Sequence, residues 1–214
     1  DLLIPFSYSS SLQMSDTVNA VVWDHPEVFW MDTYNTKMIT SVLGMEHVCN
    51  YFFSDEEIIH WREVAKRWVE HVISQLPENA KTGDRAWLIY DYLARQVEYR
   101  ERGEKLSHTI VGPLMSHEHF GVCEGIALAY KFLCDVAKIH CIFVAGRVCF
   151  NGVEGDLHAW NIVDLGGYKR HVDVTVAIRL AHVKGVAGNG SEFAKRDTEM
   201  NEYIWNRRLV PRCE

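Results

Sequence analysis

The sequence predicts an α+β protein in which a cysteine-bearing helix precedes an antiparallel sheet. Three observations lead there. An amphipathic helix with a capping signature opens at Ser54, and a compact helix pattern, GVCEGIALAYKFLCDVA, covers 121–137. Three strand-like segments follow, the last two joined by Gly166-Gly167, a dipeptide suited to the positive backbone angles of a tight hairpin.

Composition sets the frame. The chain has 214 residues, 48% hydrophobic, 24% charged and 12% aromatic, which fits one substantial packed core and excludes disorder, collagen-like repeats and a disulfide miniprotein. A net charge of −7 with no long basic run argues against nucleic acid as a partner. No apolar stretch approaches the roughly 18 to 20 residues that a membrane span needs, so the chain reads as soluble. The opening DLLIPFSYSS has neither a basic n-region nor an extended h-region. Because Asp1 stands where an initiator Met is expected, a trimmed leader is compatible with the sequence and the compartment is unassigned. The six cysteines, Cys49, Cys123, Cys134, Cys141, Cys149 and Cys213, include no C-x-x-C pair and read mostly as buried thiols. The triplet Asn189-Gly190-Ser191 matters only in a glycosylating secretory pathway.

In chain order, residues 1–53 form an α/β extension expected to pack on the rest, with KMITSVLGMEHVCNYFF as two strands around a Gly44 turn. Residues 54–214 form the core and end in a helical tail, the whole expected as one compact unit. Ser54 and Glu57 make a capping box, and Ile58, Trp61, Ala65, Trp68, Val72 and Leu76 recur at helical spacing until Pro77. A further helix runs from about Asp84 to Tyr99, with Trp87, Tyr90, Leu93 and Val97 on one face. A turn-rich, histidine-bearing connector leads to the cysteine helix. The strands HCIFVAGRVCF, HAWNIVDL and YKRHVDVTV come next, and 191–206 reads as helix opening at Ser191.

Cys123, taken alone between Val122 and Glu124, reads as a small core residue. Its setting raises a second reading. It stands at a predicted helix start, where unpaired amides and the helix dipole favour a thiolate, and Gly121 and Gly125 bracket it and would let a substrate backbone approach. A thiol nucleophile in acyl transfer needs a base, and the base needs an orienting group. With a two-residue turn at Gly166-Gly167, Leu165 faces Tyr168, Trp160 faces Asp173 and His158 faces Thr175. His158 and Asp173 are then diagonal neighbours on one face of the hairpin, about 7 to 8 Å apart in backbone and within side-chain reach. A strand histidine bonded to a backbone carbonyl is the plainer alternative for His158, and an aspartate bonding local amides for Asp173. Asn161 and His171 are assigned to the faces opposite His158 and Asp173, outside the constellation.

The segments GVCEGIA, HAWNIV and HVDVT, in this order, resemble the three signature segments of the transglutaminase-like superfamily. The resemblance covers roughly 84–178, and DHPEVFW, FAKRDTEM and YIWNRRLVP are more loosely similar to flanking segments of bacterial members. It implies a papain-like core, the nucleophile helix packed on the antiparallel sheet, with Cys123 as nucleophile, His158 as base and Asp173 as orienting acid. Peptide or protein amides are the implied substrates, and transglutaminase, deamidase and cysteine peptidase activities all share this triad. A catalytically silent binding module on the same fold is the alternative. Ile126 and Val176 depart from the family pattern, replacing aromatics expected near the cleft. The Cys123 amide is a natural oxyanion donor, and in the superfamily an upstream side chain supplies another, for which Trp87, Tyr99 and His119 are candidates. Trp160 is expected to shield His158 and Asp173 from water. His117 and His119 form an H-x-H pair without a third ligand fixed by spacing, and no D-x-D-x-D-G calcium loop occurs, so no metal or other cofactor is expected. Oligomeric state is left open.

Overall fold

The computed structural model describes residues 11–41, 44–150, 153–184 and 190–214. The N-terminal part comprises α1 (Ser11–Asp24), a single 3-10 turn at Pro26–Val28, and an antiparallel hairpin of β1 (Met31–Ser41) and β2 (Gly44–Tyr51). The expected strand pair is therefore present, with Gly44 inside β2; positions 42 and 43 of the turn lie outside the described residues. Asn189 of the Asn-Gly-Ser triplet also lies outside them.

Helix α2 (Asp55–Gln75) begins as its sequence dictates. The Glu57 amide donates to Ser54 Oγ at 3.3 Å and the Ser54 amide to Glu57 Oε2 at 2.8 Å, satisfying two of the free donors of a helix start. Its apolar stripe, Ile58, Trp61, Ala65, Trp68 and Leu76, packs against the core around buried Val72. Helix α3 (Thr82–Gln96) buries Ala86, Ile89, Tyr90, Leu93 and Ala94. The connector that follows is more than a loop. It carries β3 (Glu98–Tyr99), α4 (Glu104–Ser107) and a π turn at Val111–Met115, and returns through β4 (Phe120–Gly121), parallel to β3. Ser107 and residues 110–115 are buried beneath the start of α5 (Cys123–Val136).

The main sheet has four strands in the order β7-β6-β5-β8, all antiparallel, from β5 (Cys141–Phe150), β6 (Val153–Asp164), β7 (Lys169–Val172) and β8 (Tyr203–Trp205). The β6–β7 register is the expected one: Asp164 faces Lys169 and Asn161 faces Val172. Gly166 and Gly167 turn the chain at φ of +99° and +104°, and Asp164 Oδ1 accepts both glycine amides, at 2.9 and 2.7 Å. Helix α5 packs on one face of this sheet, over Ala159 and Val163, where Asn161 Nδ2 donates to Ala127 O at 3.0 Å. Val144, Trp160, Ile162, Met200 and Cys213 form a smaller core on the other face.

Two expected elements differ. The strand expected to continue through Val176 stops at Val172, and α6 (Val174–Lys184) begins at once. Asp173 causes the switch: its Oδ1 accepts the Val176 amide at 3.0 Å, an N-cap bond. The β-branched Val174 and Thr175 read as strand but are carried into helix by burial against α3 and α5. Likewise 191–206 is not a helix. It holds one 3-10 turn at Asp197–Glu199 and then β8, which pairs with β5 so that Tyr203 faces Val148 and Trp205 faces Gly146.

Candidate functional site

Cys123 is the first residue of α5, and no side chain caps that end. The helix start is seated on the buried connector: the Val122 amide donates to Ser107 O at 3.1 Å. A Cβ on Gly125 would collide with Ser107 O and lie 2.9 Å from Thr109 O, and one on Gly121 would come within 2.8 Å of the Pro113 ring. Packing under the helix therefore requires both glycines.

His158 stands on β6 with only about 10% of its side chain exposed, its Nε2 2.7 Å from Asp173 Oδ2. With Nε2 committed, Nδ1 is the nitrogen left for the Cys123 thiol, with which the ring is in hydrogen-bond contact. Burial opposes charge on this ring, but the Asp173 carboxylate and Cys123 outweigh it and raise the pKa to about 10. The hydroxyl of Tyr203 donates to the same Asp173 Oδ2 at 2.9 Å. Both carboxylate oxygens are thus occupied, and Asp173 is almost wholly buried.

Cys123 and His158 border a cleft of about 840 Å³, with Asp173 buried behind the histidine; its walls are mainly apolar and include Trp23, Tyr99, Phe143, Leu157 and Trp205. One flank comes from the N-terminal part. Trp23 stacks on Phe143 with centroids 5.0 Å apart and donates to Glu124 Oε1 at 3.3 Å, while Tyr34 donates to Glu124 Oε2. His108 joins them, with Nδ1 2.8 Å from Glu124 Oε2 and Nε2 3.0 Å from Glu101 Oε2. The Glu124 bond holds its pKa above the ordinary histidine value against the pull of burial, with Glu101 adding to it.

Of the residues expected near the chemistry, Tyr99 borders the cleft, its phenol pKa raised by burial and by Cys123. Trp87 and His119 do not border it. Trp87 packs on Phe193 and Tyr90, and His119 turns its ring to Trp68 and its Nδ1 to Pro113 O at 3.2 Å. Ile126 is fully buried behind Gly121, and neither it nor Val176 lines the cleft. Trp160 is buried beneath His158, the two rings stacked 6.0 Å apart. His171, two residues before Asp173, shares its side of the strand and not the opposite one. There the Trp160 indole donates to its Nδ1 at 3.0 Å. Trp23, Tyr34 and His108 carry no local motif that marks them in the sequence, and Glu124 and Tyr203 lie in the quoted segments GVCEGIA and YIWNRRLVP without any role read for them.

His171, Asp197 and Cys213 bring possible metal-ligand atoms within 4.8 Å of one another. The indole proton on Nδ1 dictates that a neutral imidazole carries its own proton on Nε2, which lies 2.9 Å from Asp197 Oδ1. That nitrogen has no lone pair for a cation. Burial, with the Asp197 charge, lifts the Cys213 thiol to about 12, so the group reads as a closed hydrogen-bonded support. His117 is no part of it.

An α+β fold with a helix-start cysteine meeting a buried histidine–aspartate pair at an apolar cleft defines this site. In overall structure the chain is similar to a "putative cysteine protease" from Cytophaga hutchinsonii, at 20% identity and TM-score 0.41, covering 57% of this chain and 43% of that one. It is also similar to a crystal structure described as a TGase, at 13% identity and TM-score 0.48, covering 97% of this chain and 62% of that one. The chain thus spans less than two thirds of either protein. No protein-family model matches it, and no curated protein matches it in sequence.

Proposed function

We propose that the protein is a thiol-dependent acyltransferase or hydrolase of peptide or protein amides, with Cys123 as nucleophile, His158 as acid and base, and Asp173 as the group that orients it. The observation that carries this reading is the contact series from the helix-start thiol through His158 to a buried, fully bonded carboxylate. With its raised pKa His158 holds the proton on Nδ1 in the resting pair, so the Cys123 sulfur attacks as the thiolate and forms a bond to the amide carbonyl carbon. The oxyanion that develops is stabilised by amides at the uncapped start of α5. When the carbon–nitrogen bond breaks, the imidazolium returns the proton to the leaving amine and a thioester remains on Cys123. His158 then takes a proton from water or an amine, which attacks the thioester and regenerates the thiol. Water gives hydrolysis or deamidation; an amine gives a new amide.

Incubation with casein and a fluorescent primary amine separates these outcomes. Fluorophore incorporation indicates transamidation, new amino termini a peptidase, and ammonia release without incorporation a deamidase. An iodoacetamide reaction no faster at Cys123 than at the other thiols would sink the reading.

A further inference from the structure

The Asp173 carboxylate has three donors, and only two belong to the elements that the proposed reaction needs. Val176 N–H, on α6, holds Oδ1 at 3.0 Å, and His158 holds Oδ2. The third, Tyr203 O–H, comes from β8, a strand the chain makes only after passing through 190–200. Much of the structure is spent on placing that hydroxyl. Backbone pairing sets Tyr203 opposite Val148, the Cys149 amide donates to Glu202 O at 2.6 Å, and the Tyr203 amide donates to Met200 O at 3.1 Å. Strand alternation then turns Tyr203 and Trp205 inward and leaves Ile204 exposed. The Tyr203 ring stands 5.9 Å from His158 and 5.1 Å from Trp160. Burial first, and the Asp173 charge next, with Glu192 and Glu202 adding, push the phenol pKa far up, so it acts only as a donor here.

We infer that Tyr203 is a positioning residue for the proposed triad: its hydroxyl locks the Asp173 carboxylate, which in turn fixes the His158 ring against the Cys123 thiol. The inference rests on the triad reading above. Without the hydroxyl, Oδ2 keeps one donor and the carboxylate is free to turn about the bond that Val176 holds, carrying its charge away from the ring.

The test uses the full chain and Tyr203→Phe, which keeps the ring. Carbamidomethylation of Cys123 by iodoacetamide is followed by mass spectrometry across pH 5 to 10. Loss of alignment should slow the reaction at neutral pH by roughly 10- to 100-fold and displace the pH midpoint upward. In an Asp173→Asn background the same substitution should have almost no further effect. A rate within twofold of the parent, an unmoved midpoint, or an equal effect without Asp173 overturns the inference. If Tyr203→Phe does not fold, 3-fluorotyrosine at 203 serves instead. Its more acidic hydroxyl should move the midpoint, and an unmoved one overturns the inference equally. Failure of the triad reading looks different, because the parent Cys123 would then show no preferential labelling at all.

Discussion

His158 Nε2 and Asp173 Oδ2 stand 2.7 Å apart, the carboxylate almost wholly buried and the imidazole at the edge of the cleft. A histidine whose pKa rises from 6.5 to about 10 on folding contributes stability that is complete below pH 6.5 and is lost as pH climbs through about 10. Asp173→Asn should therefore cost most stability between pH 5 and 7, with the deficit closing toward pH 10. Urea unfolding of both proteins at several pH values checks this. A pH-independent difference would contradict the charge assignment.

The cysteines should separate cleanly by reactivity. Cys134 and Cys141 are buried and the Cys213 thiol is held near 12, so none of these three should be alkylated in the native protein at neutral pH. Cys123 should react first, and His158→Ala should slow it on the order of 100-fold or more, with a comparable loss of turnover. Peptide mapping after brief iodoacetamide exposure gives all these rates at once.

The β6–β7 register was legible because two glycines and Asp164 define the turn, and from it follows the approach of His158 to Asp173. The change of Asp173 from strand to helix cap was not, because Val174, Thr175 and Val176 favour strand locally and only burial against α3 and α5 reverses that. Nor was β8 legible: a three-residue strand has too few positions to show a period, and its identity depends on β5. The flank made by Trp23, Tyr34, His108 and Glu124 joins positions up to 101 residues apart, a distance over which periodicity carries no signal. Trp87 and His119 offer donors upstream of Cys123, but packing claims both, and nothing local in the sequence signals that packing.

Gly125→Ala should be severely destabilising, by about 3 kcal/mol or more. Its methyl has nowhere to go, because the atoms it meets are the Ser107 and Thr109 carbonyls rather than flexible side-chain tips. A thermal melt measures this. Gly166→Ala, where the added methyl meets nothing within 4 Å and the penalty is only the positive φ, should cost about 1 kcal/mol.

His171 should give the protein an acid-sensitive support. Burial, opposed by Asp197, lowers its pKa below 6.5, so the unfolded chain takes up the proton more readily and stability is lost as pH falls through 6.5. The stability advantage of the parent over His171→Asn should shrink on going from pH 7.5 to pH 5.5. An advantage that grows would reverse the sign argued here.

The flank of the cleft offers the opposite pH sense. His108 has a raised pKa, chiefly through Glu124, so its contribution is complete below pH 6.5 and fades as pH rises. Tyr34→Phe removes a donor from Glu124 and should cost about 1 to 2 kcal/mol. It should also speed proteolysis within residues 11–51, and more so at pH 9 than at pH 6.

The order in which the chain presents its groups has a consequence during translation. Cys123 leaves the ribosome first, His158 and Asp173 follow, and Tyr203 comes last. At roughly 5 to 20 residues per second, several seconds separate the thiol from the hydroxyl that completes its support. A nascent chain therefore exposes the Cys123 thiol for that interval before β8 can pair with β5 and bring Tyr203 to Asp173.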